Sequence, residues 1–220
     1  MNFYNSGATF DEIDLVALSH LHPDHSAELP AILWPFGGDF KISGPSGEGV
    51  FPPLDSFLNS LFGAGGAFNT MESRLNLDSI TVDFSNDQPT EIWRDGDILV
   101  RGLGVPHGGV PAIGYRVDVG DHSIAFSSDQ NGSDPSWAEF AKDVDILVAH
   151  FGTAEGSNSA LHAQPSVWGQ MATDANAGHV IVSHIATSSD EVLAESVGHL
   201  KSNYDGEVTI AEDMLCVEVR

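Results

Sequence analysis

The chain has 220 residues, is 41% hydrophobic, and carries 32 acidic residues against 8 basic ones, for a formal charge of −24. That is enough apolar length to bury a core close to the upper size of one domain, and a field of this sign repels long DNA or RNA. No run of about 18 apolar residues is present to span a membrane.

In chain order, Ile13 to Leu18 is a short branched apolar run of strand type, and it leads into His20-Leu21-His22-Pro23-Asp24-His25. Ser26 to Trp34 reads as a short helix and Phe40 to Ser43 as a strand, followed by a Gly/Pro-rich loop through Pro53 and a helix from Leu54 to Leu61. Gly63 to Thr70 reads as a mobile glycine-rich loop. Strands then recur at Ile80 to Phe84, Glu91 to Trp93, Ile98 to Leu103, Ile113 to Val119 and Ser123 to Ser127, with Gly120-Asp121 as a hairpin signal between the last two. The remainder alternates: helix Pro135 to Ala141, strand Asp145 to Ala149, helix Ser166 to Ala175, strand Val180 to Ser183, helix Asp190 to Ser202, strand Glu207 to Ile210. This alternation predicts layered α/β packing, and nothing marks a linker, so residues 1–220 are expected to form one domain. The single cysteine, Cys216, excludes an internal disulfide; its place in the strand-like run Met214 to Val219 predicts a buried core thiol.

The chemistry concentrates at the first motif. His20 and His22 are two apart in an extended segment, so they share a face, and Asp24 and His25 follow where the chain turns into a helix. Imidazole and carboxylate are zinc donors, and they also suit manganese or iron. A polar loop with chance histidines is the bland alternative; four ligand-type side chains within six residues at a strand end argue for a site.

This hexapeptide resembles the signature of the metallo-β-lactamase superfamily. The resemblance implies an αββα sandwich of two mixed β-sheets flanked by helices, and it extends from about Phe10 to the C-terminus. It also implies places for the remaining ligands, which Val105-Pro106-His107-Gly108, Ser127-Ser128-Asp129-Gln130 and Ile181-Val182-Ser183-His184 fill in order, each where a strand meets a loop. By the resemblance, His20, His22 and His107 hold one divalent metal, Asp24, His25 and His184 a second, and Asp129 bridges them, with zinc as the expected ion. A metal-bound hydroxide would attack the substrate, with Asp24 orienting it or taking its proton. His150 and His162 lie where some relatives carry polar residues near the metals; each is a candidate to protonate a leaving group, and each reads equally well as a hydrogen-bonded structural histidine. His122, His179 and His199 read as surface positions.

The segment Gly104 to Ser133 looks like the branch containing tRNase Z, arylsulfatases and phosphodiesterases, whereas many true β-lactamases use a cysteine at the position of Asp129. With three lysines and five arginines in the chain, a small ester is the expected substrate, a phosphodiester ahead of a sulfate ester or lactone. Diiron oxygen-reducing relatives carry Glu at the position of His22, which argues against redox chemistry. One departure stands out, in that the family places several strands before the motif and only 19 residues precede His20 here. An N-terminally short domain is therefore expected, either truncated and catalytically silent or covered by a partner such as a second copy. The chain opens on no signal-peptide pattern and reads as cytoplasmic by default, a periplasmic or secreted placement staying open if the N-terminus is truncated.

Overall fold

The computed structural model describes residues 5–7, 9, 12–34 and 37–219; Phe10, where the resemblance begins, lies outside them. Two sheets face each other. The smaller is parallel throughout, in the order β1 (Leu15–Ala17), β2 (Gly38–Pro45), β3 (Leu75–Val82). The larger has seven strands in the order β10 (Glu207–Ile210), β9 (His179–Ser183), β8 (Ile146–His150), β7 (His122–Phe126), β6 (Ile113–Val119), β5 (Ile98–Gly104), β4 (Thr90–Asp95). It is mixed: β4 to β7 pair antiparallel through short turns, and β7 to β10 pair parallel through helical crossovers.

Helices cover the outer face of each sheet. On the small sheet α2 (Leu29–Leu33) and α3 (Leu54–Phe62) bury Leu33, Leu54, Leu58 and Phe62 against Phe40 and Ile42. On the large sheet α4 (Ser136–Phe140), α5 (Pro165–Asp174) and α6 (Asp190–Lys201) bury Trp137, Trp168 and Leu200 against Leu147, Val180 and Val182. Between the sheets a third cluster joins Val82, Ile92, Val100, Ile113 and Tyr115. The layers are therefore helix, sheet, sheet, helix, as the resemblance implies. Among the described residues no helix is long and apolar enough to cross a membrane.

Several sequence expectations shift. The helix expected over Ser26 to Trp34 is two pieces, α1 (Pro23–Ser26) and α2, because Pro30 has no N–H to continue a helix and sits in the first turn of a new one. The strand expected at Ile80 to Phe84 begins earlier, at Leu75, since pairing with β2 over its full length outweighs the polar outward residues Asn76 and Asp78. Gly63 to Thr70 is held by backbone hydrogen bonds from Ala67 to Ser60 and from Phe68 to Leu61, and leads into a 3-10 turn at Asn69–Met71. Cys216 is exposed rather than buried, and residues 214–219 join no strand: their apolar alternation has no neighbouring strand to pair with.

The small sheet covers only part of its partner. Beside β1 an inter-sheet groove of about 800 Å³ runs from Glu12 and Ile13 past Trp93 and Val117 to Phe126, which is 43% exposed. Its far end is walled by His25, Asp129 and His184.

Candidate metal centre

The strand-to-loop boundaries at one end of the two sheets deliver the candidate residues to one place. β1 is anchored there by the buried Tyr115, whose hydroxyl donates to Leu18 O at 2.9 Å, and by Ile113 N, which donates to Ser19 O at 2.8 Å. The chain then runs through His20 and His22 into α1, where Asp24 and His25 sit in the first and last turn of a four-residue helix. His107 lies in the turn after β5, Asp129 after β7, His150 at the end of β8, and His184 after β9. His162 precedes α5 in a loop tied to the Asp129 turn: Ala163 N donates to Gln130 O at 2.7 Å and Asn131 Nδ2 to Ala160 O at 2.9 Å. Ser128 and His184 both have positive φ, +58° and +47°, a conformation that L residues with a side chain adopt at a cost and that clusters at functional sites.

The seven expected ligands fall into two groups. In one, His22 Nδ1 lies 3.0 Å from His20 Nε2 and 3.4 Å from His107 Nε2. His107 Nδ1 is 2.8 Å from Leu161 O. A carbonyl can only accept, so Nδ1 carries the hydrogen and Nε2 turns a lone pair toward His22. His22 Nδ1 faces both of the other rings' Nε2 atoms, and the three imidazoles form a group that could hold a metal ion. In the other group, Asp24 Oδ2 is 3.5 Å from both His25 Nε2 and His184 Nε2. Asp129 stands between the groups: its Oδ2 is 3.6 Å from His25 Nε2 and 3.5 Å from His184 Nε2, and it forms a further potential ligand set with His20 and His25. His25 Nε2 is buried with no hydrogen-bond partner, as a nitrogen reserved for a metal would be. Ser19 Oγ lies 3.1 Å from His20 Nδ1 and 3.3 Å from His25 Nδ1; its two lone pairs can accept from both rings and so hold both Nε2 atoms inward.

Electrostatics favour neutral imidazoles at His20 and His107 and an ionised carboxylate at Asp129. Burial, with His25 and His107 nearby, pushes His20 down to about 3. Burial also lowers His107, opposed by its Leu161 contact. For Asp129, burial alone would raise the carboxyl; the close approach of His25 at 3.6 Å, with His150 and His184 also nearby, more than reverses this, leaving it well below the ordinary range. His25 goes the other way: burial lowers it, and its contact with Asp129 raises it further.

His150 is 3% exposed, and burial pushes it down to about 3. Its Nε2 lies 3.1 Å from His162 Nδ1, and that same atom is 3.8 Å from Asp129 Oδ2, so the structure brings both candidates to the edge of the centre. His162 also borders a polar cleft of about 410 Å³ with Asn131, Ser133, Asn158 and Gln164. His122, His179 and His199 lie elsewhere: His122 is exposed near Asp145, His179 is half-buried on Thr209, and His199 is half-buried on α6. Sequence reasoning missed Ser19 and the Leu161 carbonyl. Ser19 directly precedes the motif and its hydroxyl was a readable signal, while a backbone carbonyl 54 residues from His107 leaves none.

A family profile described as the Beta-lactamase superfamily domain matches residues 3–185. The probable metallo-hydrolase YhfI of Bacillus subtilis is 25% identical over 208 residues, covering 92% of this chain and 77% of that one. The crystal structure of YhfI superposes with a TM-score of 0.68 at 21% identity, over 92% of this chain and 76% of that one. Human tRNase Z, short form, superposes with a TM-score of 0.73 at 18% identity, covering 99% of this chain and 83% of that one. A ribonuclease Z of Synechococcus is 28% identical over 176 residues, 75% of this chain, and the chain spans about half the length of that relative, 52%. The profile match over most of the sequence, carried on a sandwich shared with these metallo-hydrolases, makes the chain a member of the metallo-β-lactamase superfamily.

Proposed function

We propose that the protein is a dinuclear metal-dependent hydrolase of small phosphodiesters, with zinc as the working ion. The observation that carries this reading is the division of seven donors into two groups with Asp129 between them. His20, His22 and His107 would hold one cation, Asp24, His25 and His184 the other, and Asp129 would face both. When bound, a pair of divalent cations supplies an acidified water and an electrophile for phosphoryl oxygen.

The protein's own groups complete the chemistry. Asp24, with a 65% exposed side chain, is reachable from solvent and can orient a nucleophilic water or accept its proton. His162, on the polar cleft, is placed to meet a leaving group. Relatives named ribonuclease Z, and a similar fold named as a diphosphatase of the PhnP family, favour a phosphorus centre. Size is limited by charge. Among the described residues neither the groove nor the polar cleft is lined by a Lys or Arg, and a chain carrying −24 disfavours a long phosphate backbone.

Elemental analysis, paired with turnover of bis(p-nitrophenyl) phosphate, a sulfate ester, a lactone and a β-lactam, tests the proposal. The expected result is about two zinc ions per chain and phosphodiester turnover, both lost in His22→Ala and Asp129→Ala. Two ions without turnover of any substrate would instead identify a silent metal-binding domain, and folded protein that takes up no metal would remove the site.

A further inference from the structure

The inter-sheet groove leads to the metal centre, and holding metal does not account for it. Alternate residues of a strand share a face, and those of the large sheet that border the groove are apolar: Trp93, Val100, Ile113, Val117 and Val148 form one wall, with Leu15 of β1 opposite. Among the described residues no Lys or Arg lines it, and Glu12 and Asp14, both exposed, border its outer part. At the inner end stand His25, Asp129 and His184, with Ser128 beside them.

The size and the distribution of polarity are those of a small-molecule site. Such sites measure about 300–1,000 Å³, are mostly apolar, and hold a few polar groups that fix the ligand's orientation; this one measures about 800 Å³. Its polar groups gather at the inner end. Two of them are buried without a hydrogen-bond partner: Ser128 Oγ, and Nδ1 of His150, a residue only 3% exposed. Buried polar atoms are nearly always paired in folded proteins, so orphans on residues that line an open groove point to a partner arriving from outside. Charge fixes which way that partner lies. A phosphoryl anion is repelled by Glu12 and Asp14 and drawn by cations at Asp129, so the head lies inward and the apolar part outward along the strand faces.

We propose that the groove holds the tail of the substrate, a phosphodiester with one alkyl or aryl chain, its phosphoryl group at the Asp129 end and its chain between the sheets. The phosphodiester part rests on the functional reading above; the apolar chain rests on the groove alone. The groove is then what selects the substrate, since a chain taken out of water adds affinity that a methyl ester lacks. A methylene fully removed from water contributes about fourfold, and in a groove open along one side about two- to fourfold is expected.

Binding and turnover are read separately. Methyl(alkyl)phosphinates carry the charge of a phosphodiester but no ester bond to cleave, so isothermal titration of the zinc-loaded protein with the methyl, butyl and octyl members reads the groove without reference to activity. The expected affinity rises about two- to fourfold per methylene, and the octyl member displaces the uncharged dye Nile red. The ratio kcat/KM for p-nitrophenyl alkyl phosphates follows the same order; there water adds to phosphorus, the P–O bond to the nitrophenyl group breaks, and nitrophenolate and an alkyl phosphate leave. Val117→Trp, which fills the groove from a half-buried strand position, flattens the series. Phe126→Ser, at a position 43% exposed, lowers its slope and decides the matter should Val117→Trp not fold. Affinity independent of chain length in the wild type overturns the proposal. So does a dimer in sedimentation that must dissociate before Nile red binds, because the groove is then an interface between copies. Chain-length-dependent binding without turnover of any ester leaves the tail site standing and removes the phosphodiester reading.

Discussion

Ser128 is held at φ +58° with its hydroxyl buried and unpartnered, directly before Asp129. A residue with a Cβ in this region is about 1–2 kcal/mol less stable than in its ordinary conformation, and glycine would remove that strain together with the stranded hydroxyl. Glycine's extra freedom in the unfolded chain takes back about 0.5–1 kcal/mol. Ser128→Gly is therefore expected to stabilise the metal-free protein by about 1 kcal/mol, a rise of about 2–4 °C in Tm for a chain of this size, measurable by calorimetry. A lower Tm would show that the hydroxyl has a partner worth more than the strain. At this scale the ligands were legible because histidine and aspartate are unusual at strand ends in such density. The link from His150 to His162 was not: twelve residues and a loop separate them, and only the return of that loop over the Asp129 turn brings the rings together.

Between elements, the antiparallel β4–β7 region was the most readable part, because alternation and the Gly120-Asp121 turn specify register locally. The small sheet was less so. Its strands pair in parallel across long connections, and the start of β3 is set by β2 rather than by its own composition. Register between β5 and β6 is reinforced by charge: Arg101 Nη2 donates to Asp118 Oδ2 at 2.7 Å, Arg116 Nε donates to Oδ1 at 2.8 Å, and Arg116 Nη1 also donates to Phe140 O and Lys142 O, fastening the sheet to the end of α4. Burial raises the Asp118 carboxyl and the two guanidinium hydrogen bonds lower it further, so its net pKa is depressed. A depressed carboxylate stabilises the fold above its unfolded pKa of about 3.9 and loses that contribution as pH falls through the lower folded value. Asp118→Asn should therefore cost about 1–3 kcal/mol at pH 7, with the gap to wild type closing in acid as pH falls through the depressed folded value. Urea unfolding at neutral and acid pH checks this, and a gap independent of pH would assign the loss to shape rather than charge.

For the whole molecule, a charge of −24 with few compensating cations means that the folded state works against its own repulsion. The Debye length falls from about 30 Å at 0.01 M salt to about 3 Å at 1 M, which spans the dimensions of the protein. Tm should rise by several degrees between those limits in potassium chloride as in sodium chloride; a flat or falling response would mean that the acidic residues are already neutralised within the fold. The αββα layering itself was legible from the order of strands and helices. The unequal size of the two sheets was not, because a sequence shows which segments are strands before it shows which faces lack a cover.

That inequality bears on how ions come and go. The inter-sheet groove reaches His25, Asp129 and His184 from behind the loops, and Asp24 is open to solvent, whereas His20 and His107 are 0% and 1% exposed. The two halves of the proposed centre therefore run on separate clocks. An ion beside His20, His22 and His107 would leave past two buried rings and the half-buried His22, while one beside Asp24, His25 and His184 would trade with the surroundings past an open carboxylate, the first a slower resident and the second a faster migrant.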